Sequence, residues 1–200
     1  MAAGPNTFSP EIFEIDKDLL LKILEDFNEE LCKQDLFASI NIYGGCAMML
    51  LGYDSRRSVD LDGVFTEIST GQVSDLLTKV VEKNNIERSF FDSSIGAIIG
   101  RYLKINEVIN YASLSNLNIN ICTPEQLLAM KLFSARLSGI KHDMEDAHAL
   151  CRDLKIKEKN ELFGILEKYI LPEEIFKQNN SPKRKNCIDN FINLLVERLK

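Results

Sequence analysis

The sequence predicts an α+β protein, a mixed sheet of about four strands flanked by helices and continued by a C-terminal helical extension. Three observations carry that prediction. Apolar residues recur at spacings of three and four over residues 16–34, short runs alternate apolar with polar at 38–43, 58–65 and 117–122, and the last third shows helical spacing alone. Two hundred residues with 45% hydrophobic content suffice for one substantial core. The chain therefore divides into an α+β core over 1–123 and a helical region over 124–200 packed on it.

Each element has a local reason. In 16–34, Leu19, Leu20, Ile23, Leu24, Phe27 and Leu31 form one apolar stripe, and Asp16 is placed to cap the helix. Residues 38–43 read as a strand ending at Gly44-Gly45, and 46–51 as a helix apolar on every side. Residues 58–65 alternate as a strand, which sends Val59 and Leu61 to the core and Asp60 and Asp62 to the opposite face. Residues 73–81 return to helical spacing. The stretch 89–99 is ambiguous between strand and helix, with Asp92 and two serines able to cap a short helix. Residues 108–112 and 117–122 read as paired strands around a polar turn. Thr123-Pro124 opens a helix running to about Ser138 and stopped by Gly139. Helices are then expected over 143–154, 160–169, 172–177 and 186–199.

Composition narrows the function classes. No apolar run approaches the roughly 20 residues that cross a bilayer, and the first residues lack the basic and apolar parts of a signal peptide, so a cytoplasmic protein is expected. Five scattered cysteines without a Cys-x-x-Cys pair speak against a disulfide framework and a zinc site. A net charge of −6 gives no global attraction to nucleic acid, so any polyanion must meet a local patch. Lys183-Arg184-Lys185 is one such run, and is equally what a solvated loop contains.

The chemistry concentrates in two places. Asp60 and Asp62 converge on one volume, where like charges raise a carboxyl pKa unless a cation intervenes, and hard oxygen donors select Mg²⁺ or Mn²⁺. An Asp-x-Asp alone is equally a solvated strand face. Gly44-Gly45, at a strand-to-helix junction, lets backbone approach a phosphate, although glycine also ends strands for steric reasons. Arg56, Arg57 and Ser58 lie between the two motifs. Further on, Lys131 falls among apolar residues at helical spacing and must either meet an anion or extend its stem to water. Asp143, with Asp146 three residues on, stands where a helix cap is expected.

Taken in order, Gly44-Gly45-Cys46-Ala47, Gly52, and Arg56-Arg57-Ser58-Val59-Asp60-Leu61-Asp62 resemble the signature of minimal nucleotidyltransferases. The closest variety is similar to the toxins of bacterial toxin–antitoxin and abortive-infection systems. Pro124 to Arg136 resembles that group's Leu-Leu-x-x-Lys-x-x-x-Ala helix, and Lys141-His142-Asp143-Met144-Glu145-Asp146 its Lys-Asp-x-x-Asp. The resemblance covers about residues 39–154. It implies that Asp60 and Asp62 hold Mg²⁺ or Mn²⁺ and that Gly44, Gly45, Arg56, Ser58 and Lys131 bind an NTP. Asp60, Asp62, Lys131 and Asp143 then serve transfer of an NMP to an acceptor hydroxyl, with Asp143 orienting the acceptor or Lys131. RNA is the favoured acceptor, an antitoxin protein a possible partner, and a membrane role is not implied. Two departures stand out. The 117–122 strand carries Asn118 and Asn120 where many members place a third carboxylate, and the interval from Gly45 to Asp60 is longer than in familiar members. The rival readings are a non-catalytic nucleotide- or protein-binding module on the same fold and an enzyme that modifies a small molecule.

Overall fold

Hydrogen bonding assembles one sheet of five strands, one more than the alternation signals, in the order β3-β2-β1-β5-β4. The structure is a computed structural model and describes residues 14–53, 57–104, 107–134, 140–171 and 182–200. The strands are β1 (Ala38–Ile42), β2 (Leu61–Thr66), β3 (Phe91–Asp92), β4 (Val108–Ser113) and β5 (Leu117–Cys122). β1 pairs antiparallel with β2 and parallel with β5, β4 returns antiparallel on β5, and β3 lies parallel to β2. The additional strand is the two-residue β3, which falls in the stretch whose pattern was ambiguous.

Helices α1 (Lys17–Lys33), α2 (Gly44–Leu50), α3 (Thr70–Asn84) and α4 (Ser94–Tyr102) alternate with the first strands. After β5 follow α5 (Pro124–Phe133), α6 (Ile140–Leu154), α7 (Lys159–Tyr169) and α8 (Pro182–Leu199). α1 starts where its cap dictates, with Asp16 accepting the Leu19 N–H at 2.9 Å. Its stripe Leu20, Ile23, Leu24, Phe27 and Leu31 is fully buried, each side chain contributing about 2 kcal/mol. Beside the stripe lie buried Asp26 and Glu30, which meet Lys83 and Lys79 of α3 at 2.7 and 3.4 Å. α5 opens on a capping box formed by Thr123 and Gln126 with Pro124 at its start.

Several expectations change. α5 ends at Phe133, and the Ala135, Arg136 and Gly139 of the expected continuation lie outside the described residues, as does the expected 172–177 helix. α6 begins at Ile140, so Asp143 sits inside its first turn and is not its cap. Val59 does not face the core: it is 54% exposed, because residues 59 and 60 precede the β2 ladder and only Leu61 enters it, fully buried. The basic run 183–185 falls in α8, its side chains outside the description. One contiguous apolar cluster joins residues of the sheet and of α1–α8.

Candidate functional site

The β1–β2 register fixes the site. Ile42 pairs with Gly63, the Tyr43 N–H then donates to the Asp62 carbonyl at 2.9 Å, and the chain turns into α2 at Gly44 directly beside the Asp62 carboxylate. A Cβ on Gly44 would lie 2.0 Å from Asp62 Oδ2, and the backbone there has φ +58°, so glycine is required both sterically and conformationally. α3 carries the chain back to lay β3 parallel to β2, with Asp62 opposite Asp92. Paired residues of neighbouring strands point to the same face, so Asp92 projects beside Asp62. Asp60 joins them from the residues before β2, held by the Ser58 hydroxyl, which donates to Asp60 Oδ1 at 3.4 Å.

One oxygen from each of Asp60, Asp62 and Asp92 lies within 4.8 Å of the other two, a group able to hold a metal ion. Burial, with Asp60 and Asp92 alongside, pushes the Asp62 carboxyl up to about 6, and Lys131 opposes the shift. Three hard oxygen donors at this spacing fit a divalent cation of the Mg²⁺ or Mn²⁺ kind. Asp92 is oriented by the Ser94 N–H at the start of α4, which donates to its Oδ1 at 2.7 Å.

Lys131 projects from α5 to the same centre, and α6 clamps it. Its ammonium lies 2.7 Å from Asp143 Oδ1 and 2.8 Å from Asp146 Oδ2, with only 13% of the side chain exposed. This answers the question of the cation among apolar neighbours, because its charge meets two carboxylates and does not extend to water.

Two cavities meet here. A cleft of about 990 Å³ is lined by Gly44, Gly45, Arg57, Ser58, Asp60, Asp62, Lys131 and residues of α6 that include His142, Glu145 and Asp153. Arg57 in its wall is paired with Glu14 at 3.0 Å. A smaller cavity of about 280 Å³ lies between α4 and α5 and touches Gly44, Asp62, Asp92 and Lys131. The structure thus brings together Gly44, Gly45, Ser58, Asp60, Asp62, Lys131 and Asp143, while Arg56 lies outside the described residues. Asn118 and Asn120 line neither cavity, and Asn120 instead donates to Asn41 across the sheet at 3.0 Å.

The sequence reading missed Asp92 and the part played by Asp146. A third carboxylate was sought on β5, whereas the crossover through α3 supplies one on β3. The available signal was the strand–helix–apolar order over 61–91, since a β-α-β unit returns its second strand parallel to the first. Comparison with protein-family models, curated proteins and solved structures finds no match. Among the described residues no helix is long and apolar enough to cross a membrane. Fold and site together define a mixed α/β protein, a five-stranded sheet flanked by helices, with a three-carboxylate centre at the head of two parallel strands.

Proposed function

We propose that the protein is a metal-dependent nucleotidyltransferase that moves an NMP from an NTP to an acceptor hydroxyl, with RNA the favoured acceptor. The observation that carries this reading is the convergence of Asp60, Asp62 and Asp92 within 4.8 Å at the wall of a cleft that also holds Lys131 and the Gly44-Gly45 turn. Asp60, Asp62 and Asp92 would hold Mg²⁺ or Mn²⁺, which supplies neutralisation of phosphate charge and polarisation of the α-phosphoryl group. The cleft of about 990 Å³ accommodates a whole NTP, and Gly44, Gly45, Ser58 and Arg57 on its wall offer backbone, hydroxyl and cationic groups to the triphosphate.

Lys131 sets positive charge beside Asp62, and Asp143 and Asp146 fix where that charge sits. Asp143 is therefore assigned to positioning Lys131. The acceptor oxygen attacks the α-phosphorus as the bond to pyrophosphate breaks, and its proton passes to a carboxylate oxygen of Asp92. Asn118 and Asn120 have no basic group for that transfer at neutral pH. Most of the rate gain would come from holding these groups in place.

One observation favours the second reading, a nucleotide- or protein-binding module without turnover: the Lys131 charge is already matched by two carboxylates. A toxin paired with an antitoxin is the biological setting the sequence resemblance suggests. The deciding experiment incubates the protein with Mg²⁺, each α-labelled NTP and total RNA. Labelled RNA that disappears in Asp62→Ala supports transfer. Tight nucleotide binding with no labelled product moves the assignment to the binding module.

A further inference from the structure

The smaller cavity has a different chemistry from the cleft. Its walls are Ile95, Ile98 and Leu103 on one side and Leu127, Met130 and Phe133 on the other, with Asp62 and Asp92 at one end. Both cavities touch Gly44, Asp62 and Lys131, but only the cleft reaches Asp60 and only the small cavity reaches Asp92. The carboxylate centre therefore opens on two spaces of mixed lining, the smaller of which carries the larger share of apolar side chains.

An in-line displacement puts the attacking and leaving oxygens on opposite sides of the α-phosphorus. The groups suited to a triphosphate, Gly44, Gly45, Ser58 and Arg57, all lie on the cleft. The attacking hydroxyl then enters from the Asp92 side, which is the small cavity. At about 280 Å³ that cavity is at the lower limit of ligand pockets, the size of one ring-bearing unit. Apolar side chains on two facing helices suit a flat uncharged ring, and Phe133 adds an aromatic wall that already packs against Tyr102 with ring centres 6.1 Å apart. Arg101 is exposed and lies 5.2 Å over the Tyr102 ring that packs on Phe133, so one cation stands behind this wall of the slot. A ring in the slot, a hydroxyl at Asp92 and an anion near Arg101 together describe the last nucleoside of a polynucleotide and the phosphate before it.

We propose that the slot between α4 and α5 is the acceptor subsite and holds the 3′-terminal nucleoside of an RNA, with its free hydroxyl at Asp92. The assignment of the slot to the acceptor rests on the nucleotidyltransferase reading. In the step, the terminal oxygen forms the new bond to the α-phosphorus, pyrophosphate departs with the electrons of the broken bond, and the hydroxyl proton goes to Asp92.

The test uses the full chain and reads binding apart from turnover. Fluorescence anisotropy follows a 5′-labelled RNA hexamer, the same hexamer with an abasic 3′ end, and a free nucleoside as competitor. Ile98→Trp fills the slot without changing charge, at a position that is 38% exposed and so tolerant of substitution; Ile98→Ala widens it, and melting curves check both. Calorimetry measures NTP with Mg²⁺ in parallel. The expected result is about tenfold weaker binding for the abasic hexamer and for Ile98→Trp, with no further loss when the two are combined and NTP affinity unchanged. Equal binding of both hexamers by the wild type overturns the proposal, as does Ile98→Trp weakening NTP while leaving RNA untouched, which would give the slot to the donor base. Displacement of the hexamer by free nucleoside at equal concentration would replace the RNA end by a small acceptor. Base-dependent RNA binding at Ile98 in a protein that transfers no label upholds the slot and removes the catalytic reading; label transfer with no dependence on Ile98 does the reverse.

Discussion

Asp62 occupies the space in which a side chain on residue 44 would stand: a Cβ on Gly44 would lie 2.0 Å from Asp62 Oδ2 and 3.0 Å from its Cγ. The contact follows from the register that pairs Ile42 with Gly63 and leaves Gly44 next to the carboxylate. Gly44→Ala must therefore move Asp62, and its φ of +58° adds about 1 kcal/mol of backbone strain. Calorimetric titration with Mn²⁺ should show binding weakened by about tenfold or more while the circular dichroism spectrum stays native. Unaltered Mn²⁺ affinity would separate the glycine from the carboxylate centre.

Asp92 should matter as much as Asp60 and Asp62. Its oxygen belongs to the same 4.8 Å group, and Ser94 holds it in place. Asp92→Asn keeps the shape and the Ser94 contact but removes charge, so Mn²⁺ affinity is expected to fall by at least about tenfold with little change in melting temperature. An affinity like that of the wild type would reduce the centre to an Asp pair.

The difference between the Asp pair and the full centre also marks what the sequence could show. The Asp16 cap, the α1 stripe and the helix start at Thr123-Pro124 were legible because each depends on residues within a few positions. Asp60 and Asp62 were legible as a pair, although Asp60 reaches the centre from ahead of the strand. Asp92 was not. β3 has two residues, too few to alternate, and only the crossover through α3 sets it against β2. The Lys131–Asp143 relation showed in the order of the motifs, whereas the part of Asp146 depends on how α6 packs against α5. The α4–α5 slot left no pattern at all, since its walls are ordinary apolar positions of two helices far apart in the chain.

Lys131→Met should destabilise the protein, contrary to what a lysine merely extending to water would do. Asp146 is only 7% exposed, and loss of the ammonium leaves its charge buried without that partner. Breaking such a pair costs about 3 kcal/mol, and Lys131→Met with Asp146→Asn should recover much of the loss. Thermal denaturation of the two variants decides. A melting temperature unchanged in Lys131→Met would mean the clamp contributes nothing to folding and serves the site alone.

The raised Asp62 carboxyl predicts a pH dependence whose sign is opposite to that of most acids in proteins. Its ordinary value is 3.8 and its folded value about 6, because burial and the neighbouring Asp60 and Asp92 disfavour the charged form. Between these values the folded state binds more protons than the unfolded one, so this group's contribution to stability is present at low pH and lost as pH rises through about 6. In a chelator, Asp62→Asn should therefore raise the melting temperature relative to wild type at pH 7.5, keep about half of that advantage at pH 5, and lose the rest only below the ordinary value of 3.8. A divalent ion reverses the preference, since it binds the ionised group: Mn²⁺ should stabilise the wild type at pH 7.5, far less at pH 5, and Asp62→Asn weakly at either. Melting curves at the two pH values, with and without Mn²⁺, test both signs together. An Asp62→Asn difference from wild type that is the same at pH 5 and 7.5 in chelator would show that Asp62 titrates as an ordinary carboxyl, and that its neighbours do not crowd it as the geometry requires.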